Sequence, residues 1–210
     1  MAILAVLMLP ALPGKGRKAR RANCMSNLKQ IGMGFMNYAI DREDNYPWNI
    51  PPEKGGVLGD ARAQSAYRIY MLVSNELPDP KILVCVMDKA TKKAAANWTQ
   101  FDSPAYRSNA LSYFIGLDAR PKVVSSILAG DRNIDGTTKA LCPAVNVVAD
   151  ELAVTNTTFR FSNEIHQQIG LLAMADSSVQ TVTATGLQRV VQDIEGIETH
   201  GGKCHIVLPR

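Results

Sequence analysis

The sequence predicts an α+β protein, one long N-terminal α-helix packed on an antiparallel β-sheet head. Two observations carry this. From Arg17 to Ala39 apolar residues recur at three- and four-residue steps, the stripe of an amphipathic helix. Downstream, short runs rich in β-branched and aromatic residues alternate with turn signals, and helix first with strands after is the α+β order. The 210 residues, 46% hydrophobic and 20% charged, suffice to bury a core.

The elements follow in order. Met1–Leu12 is apolar apart from Pro10. A bilayer span needs about 20 such residues, and a signal peptide needs a basic region ahead of its apolar core. The segment therefore reads as the second half of a spanning helix; the competing reading is an N-terminal helix buried in the domain, which Pro10, Pro13 and Gly14 would break early. Lys15, Arg17, Lys18, Arg20 and Arg21 come next. In the helix, Ala22, Met25, Leu28, Gly32, Phe35 or Met36, and Ala39 form the core-facing stripe, while Asn23, Asn27, Lys29, Gln30 and Asn37 take the other side. "DREDNYP" (41–47) ends it, because Pro47 biases Tyr46 out of the helical region.

Residues 46–59, rich in Pro and Gly, read as a loop, and Ala61–Leu72 as a short helix. Leu77–Lys89 reads as a turn into a short strand, and Ala90–Asn109 as a surface loop. "ALSYFIGL" and "VVSSILAG" read as strands. Leu171–Ala175 and Val179–Thr183 flank a hairpin turn at Asp176–Ser178. A short helix over Thr185–Asp193, a Gly-rich loop and a strand near His205–Leu208 close the chain. The predicted organisation is a helical stalk, 1–47, and one globular head, 48–210.

Charge excludes a nucleic-acid partner. The net charge is +4, yet without the five basic residues of 15–21 the balance is −1, so the head carries no basic surface. No nucleophile elbow, phosphate loop or zinc helix is present, and the chain reads as a non-enzyme. Three weaker signals remain. Asp131, Asn133 and Asp135 in "DRNIDG" match the first positions of a calcium loop, but its twelfth position is Cys142 rather than a bidentate Glu. The competing reading is an ordinary turn. His166 and Asp176 invite a catalytic or metal reading. The competing one places His166 in a loop before a strand and Asp176 at the hairpin turn, accepting backbone N–H groups. His200, Cys204 and His205 cluster near the C-terminus and offer adventitious metal ligands. Four cysteines without a C-x-x-C fit either two disulfides or buried thiols.

"AILAVLMLPAL", "KARRANCMSNLKQIGMGFMNYAIDREDNYP", "LSYFIGLDA", "ILAGDRN", "HQQIGLLAMADSSVQ" and "HIVLP" together resemble bacterial type IV pilin-like proteins, specifically type II secretion pseudopilins. The likeness is to a group with a His-x9-Asp-Gly motif, common in planctomycete and verrucomicrobial genomes. His166 and Asp176 stand at that spacing, with Ser177 where glycine is usual. Ser26 replaces the first Asn of the group's "C-x-N-N-L-K-Q-I-G". The group's leader, a basic stretch, a glycine cleavage point, an aromatic residue and a glutamate, has no counterpart in this sequence. The resemblance implies a single-pass inner-membrane anchor, a periplasmic head and a structural role in a secretion filament. Its implied partners are copies of itself and other pseudopilins through the N-terminal helix, membrane lipid, and secreted protein cargo. The basic burst outside the bilayer runs against the positive-inside preference, which keeps a cytoplasmic head open. An extracytoplasmic head favours disulfides; the preferred pairing is Cys24–Cys85 with Cys142–Cys204, and isolated thiols remain the alternative for one pair. No cofactor is implied. The competing function is a membrane-anchored module binding a surface polysaccharide or protein, with Trp98, Phe101, Tyr106 and Tyr113 as its stacking residues.

Overall fold

The computed structural model describes residues 15–88, 90, 92–153, 158–194 and 203–209. Its first element, α1 (Lys15–Ile40), is a 26-residue helix, about 39 Å long at 1.5 Å per residue. It ends in a turn where Glu43 and Asp44 adopt positive φ and Asn45 Nδ2 donates to the carbonyls of Arg42 and Glu43. Its buried stripe is Cys24, Leu28, Ile31, Phe35, Tyr38 and Ala39. The stripe thus enters the core at Cys24, one residue before the expected Met25, and Ala22 is exposed. From Cys24 onward α1 belongs to the same apolar cluster as the head.

A seven-stranded antiparallel sheet carries the rest. Its strands are β1 (Tyr113–Gly116), β2 (Ile127–Asp131), β4 (Thr138–Cys142), β5 (Val147–Ala153), β7 (Gly170–Met174), β8 (Val179–Val182) and β9 (Lys203–Val207). Their order is β4-β5-β9-β1-β2-β7-β8, and every pair is antiparallel. A two-stranded ribbon, β3 (Ile134–Asp135) and β6 (Arg160–Phe161), sits beside it. Three short helices complete the described fold: α2 (Ala66–Leu72), α3 (Trp98–Phe101) and α4 (Ala184–Ile194).

Strand alternation divides the core in two. Tyr113, Ile115, Ala129, Leu171, Ala173 and Val207 face the α1 layer. Phe114, Leu152, Leu172, Met174, Cys204 and Ile206 face α4 through Leu187 and Val191. Central strands covered on both faces are apolar at every position, which is why "YFIG" and "GLLAM" show no alternation in sequence.

Three sequence expectations are corrected. The strand expected within Leu77–Lys89 is absent among its described residues, 77–88: a 3-10 turn at Pro80–Leu83, capped by Asp79 accepting from Lys81 N–H, takes its place. "VVSSILAG" is a strand only from Ile127, because Ser126 closes a turn on the Val123 carbonyl through both its N–H and its Oγ. The run Ala61–Leu72 breaks at Ser65 into a 3-10 turn and α2. The sequence reading assigned no element to the β4–β5 hairpin; β5 contains the buried charges Asp150 and Glu151, which interrupt an apolar strand pattern. Lys139 Nζ on Asp150 at 2.8 Å and Lys203 Nζ on Glu151 at 3.2 Å compensate them.

The β7–β8 turn meets α1 where both chains are small. A Cβ at Gly32 would lie 3.1 Å from Ser177 Cα. Ser177 is buried, holds φ 63°, and its Oγ has no hydrogen-bond partner among the described residues. Glycine removes both the left-handed strain and the dry hydroxyl. Ser177→Gly is expected to raise unfolding free energy by about 1 kcal/mol in urea titrations; a fall would contradict this account of the turn.

Candidate functional site

Where α1 enters the core, Cys24 is bonded to Cys85, with Cα atoms 5.2 Å apart and 61 residues between them in sequence. Around this tie Tyr113 Oη donates to the Cys24 carbonyl at 3.5 Å, and Asn27 Nδ2 to the Val84 carbonyl at 3.4 Å. His166 lies against the sulfur, Nε2 to Cys85 Sγ 3.5 Å, and the same nitrogen is 3.6 Å from Asp131 Oδ2. Both side chains are fully buried. Asp131 Oδ2 accepts the Leu171 N–H at 2.8 Å, and Asn133 Nδ2 donates to the carbonyls of Ser162 and Ile165.

The backbone around His166 is strained. His166, Gln167 and Gln168 have φ of 51°, 59° and 64°, a left-handed run that L-residues rarely make. The Gln168 N–H bond to the Ser162 carbonyl and Arg17 Nη1 on Gln167 Oε1 at 2.9 Å hold it. The turn thus touches the exposed, basic end of α1 as well as its disulfide.

The site is electrically quiet. Burial, opposed by the Leu171 N–H, pushes the Asp131 carboxyl up to about 8. Burial, helped by the Arg21 charge, pulls His166 down to about 4. At neutral pH both are uncharged, so the 3.6 Å approach is a contact of neutral groups rather than an ion pair. Asp131 Oδ1, Asn133 Oδ1 and His166 Nδ1 have no hydrogen-bond partner among the described residues. Next to it stands a charged network: Arg132 grips Asp88 with Nε and Nη2 at 2.8 and 2.7 Å. Ser112 Oγ adds a bond to Asp88, and Glu164 reaches Arg132 at 2.9 Å. The Asp88 side chain is fully buried and bidentately paired, the geometry in which such a pair holds a loop to a strand.

This arrangement decides several sequence readings. His166 and Asp176 are not partners: β7 separates them by about 17 Å, five residues at ~3.4 Å each. Asp176 Oδ1 instead accepts the Ser178 N–H at 2.8 Å. The calcium reading of Asp131, Asn133 and Asp135 is corrected: the first two are buried and turned to Leu171, Ser162 and Ile165, whereas Asp135 is exposed on β3. The Cys142–Cys204 pairing is also corrected. Both are free thiols, and the sheet lies between them, Cys142 in the α1-side cluster and Cys204 in the α4-side one. Cys204 and His205, neighbours on β9, likewise point to opposite faces, and His200 lies outside the described residues.

The aromatic set offers no stacking platform. Phe101 and Tyr113 are in the core, Trp98 packs edge-on against Phe101, and Tyr106 Oη accepts from Gln100. Cys24, Cys85 and His166 could gather around a metal, but the two sulfurs are spent on each other. Sequence reasoning missed Arg21, Asp88 and Arg132. The side chains that Asp88 and Arg132 bond stand 24 or more residues away, and no local pattern marks them.

Residues 15–73, which hold α1, the loop after it and α2, match a family model described as a protein of unknown function (DUF1559). No curated protein and no solved structure matches the chain.

Two outcomes are expected. Opening the Cys24–Cys85 tie, by Cys24→Ser with Cys85→Ser, should lower unfolding free energy by about 4 kcal/mol, the chain-entropy value for a 61-residue separation. Reductant should reproduce that loss in the wild type and leave the double variant unchanged. The second concerns pH. The folded Asp131 keeps its proton up to about pH 8, while the unfolded carboxyl loses it near its ordinary value, so this group's contribution falls as pH rises between them. His166, depressed to about 4, acts oppositely up to its ordinary value of ~6.5 and is silent above. From pH 6.5 to 8 stability should therefore decline by about 2 kcal/mol on account of Asp131. Asp131→Asn should flatten that slope relative to wild type in denaturant titrations across the range; an unchanged slope would mean the carboxyl is already ionised.

Proposed function

We propose that this chain is a membrane-anchored, pilin-like structural subunit, a pseudopilin of a type II secretion (type IV pilus-like) filament that serves protein export. The observation that carries the reading is the division of labour along α1. Its last two-thirds is laid into the head and tied there by a disulfide, while residues 16–20 stand exposed beyond the sheet. The apolar run Met1–Leu12 lies directly upstream in sequence and outside the described residues. Among the described residues no helix is long and apolar enough to cross a membrane. The DUF1559 match over residues 15–73 agrees with a pilin-like surface protein.

Chemistry supports each part of the role. A head bearing a disulfide suits an oxidising, extracytoplasmic compartment. Arg17, Lys18 and Arg20, exposed at the root of the head, suit anionic lipid or acidic groups of the next subunit. Met33 and Ile40 leave apolar surface on the outer side of α1, where a neighbouring helix would pack in a heterologous, helical assembly. The head then works mechanically, pushing folded cargo outward, and needs no catalytic residue.

The test uses the chain expressed from its complete reading frame. A C-terminal alkaline phosphatase fusion should be active, and the protein should fractionate with the inner membrane. A photo-crosslinker placed at Met33 should yield a ladder of homo-oligomers that deletion of residues 1–14 abolishes. An inactive fusion, or a monomer that never cross-links, would overturn the assignment.

A further inference from the structure

A second buried cluster lies at the opposite edge of the sheet from His166, and the function above leaves it unused. Three segments converge there: the turn after β1 brings Asp118, the end of β4 brings Cys142, and β9 brings His205. Cys142 and His205 are buried, and the Asp118 side chain is 7% exposed. Asp118 Oδ2 accepts both the backbone N–H and the ring Nδ1 of His205, the latter at 2.9 Å. Asp118 Oδ1 faces Cys142 Sγ at 3.5 Å. One ligand atom of each residue lies within 4.8 Å of the other two.

We propose that Asp118, Cys142 and His205 form a zinc(II) site that pins the β4–β5 hairpin to the end of β1. The donor set is one thiolate, one imidazole and one carboxylate, the mixed S/N/O set zinc accepts in tetrahedral geometry. Spacing agrees. A sulfur at ~2.3 Å and an oxygen at ~2.0 Å on one tetrahedral zinc stand about 3.5 Å apart, the separation of Cys142 Sγ and Asp118 Oδ1.

Beyond the ligands, Glu151, the cross-strand partner of His205, places Oε2 3.4 Å from the far ring nitrogen Nε2. Lys203 in turn pairs with Glu151. This is the carboxylate–histidine–metal arrangement that orients a ligating ring. On binding, the Cys142 thiol proton leaves to solvent. The ring proton moves from Nδ1 to Nε2, where Glu151 accepts it, and Nδ1 is freed for the metal.

Without a cation the Cys142 thiol faces the Asp118 carboxylate, at 3.5 Å. Cys142 also has no cysteine within reach, because Cys204 lies across the sheet. A free thiol retained beside a carboxylate and an imidazole, in a chain that forms a disulfide elsewhere, is accounted for by a metal that all three hold.

The experiment titrates the chelator-stripped, disulfide-intact chain with cobalt(II), then with zinc(II). One equivalent of cobalt should give a thiolate-to-metal charge-transfer band in the near ultraviolet, and zinc should erase it by displacement. Cys142→Ser should lose the band, Cys204→Ser should keep it, and Glu151→Gln should weaken zinc binding about 10-fold or more. Should Cys142→Ser fail to fold, alkylation of the wild type followed by mass spectrometry replaces it: zinc should slow labelling of Cys142 and leave Cys204 unchanged. Absence of a one-to-one complex, a band that survives Cys142→Ser, a band lost in Cys204→Ser, or equal labelling with and without zinc would each overturn the site.

Discussion

The structure depends on keeping α1 pressed against the sheet. The helix supplies a large block of the core through Leu28, Ile31, Phe35 and Tyr38, while residues 16–20 at its start are exposed and meet the head through the Arg17–Gln167 bond. A helix this long and half supported would fray from the edge of the head. The Cys24–Cys85 bond stands at that edge, at the first buried residue of the stripe. Close approach further along is achieved by omission of side chains: Gly32 lies under the Ser177 turn and Gly34 under Leu77. Small residues cost the helix intrinsic propensity, and packing recovers it.

The tie has an unusual neighbourhood. A neutral His166, a protonated Asp131 and the amide of Asn133 are sealed beneath it, with polar atoms that find no partner among the described residues. Apolar side chains of equal volume would be cheaper there. The left-handed turn at 166–168, joined to Arg17, connects this pocket to the exposed root of α1. The Arg17–Gln167 bond is thus the point where this polar turn meets the start of the helix.

On the far side of the sheet centre the same problem is solved differently. β4 is an edge strand with a largely exposed face, and β5 carries two buried carboxylates. Lys139, Lys203 and His205 neutralise them across the strands. The two ends of the sheet are thus fixed by different means, one by a covalent bond near α1 and the other by ion pairs across β4, β5 and β9.

Sequence periodicity alone determined the α+β class, the extent of α1, the β7–β8 hairpin and the C-terminal helix, because each is written in local spacing: 3.6 for the helices, apolar runs bounded by Asp-Ser-Ser for the hairpin. Composition placed the net basic excess in residues 15–21. The β4–β5 hairpin stayed hidden because Asp150 and Glu151 are buried only by virtue of partners on β4 and β9. Likewise Asp131 reads as a calcium ligand in "DRNIDG" until β2 turns it inward to Leu171. Which cysteines pair, and that Cys142 and Cys204 do not, was decided by the face of the sheet on which each one lies. Contacts between residues 44 to 150 positions apart have no local signature, and only the folded sheet brings them within bonding distance.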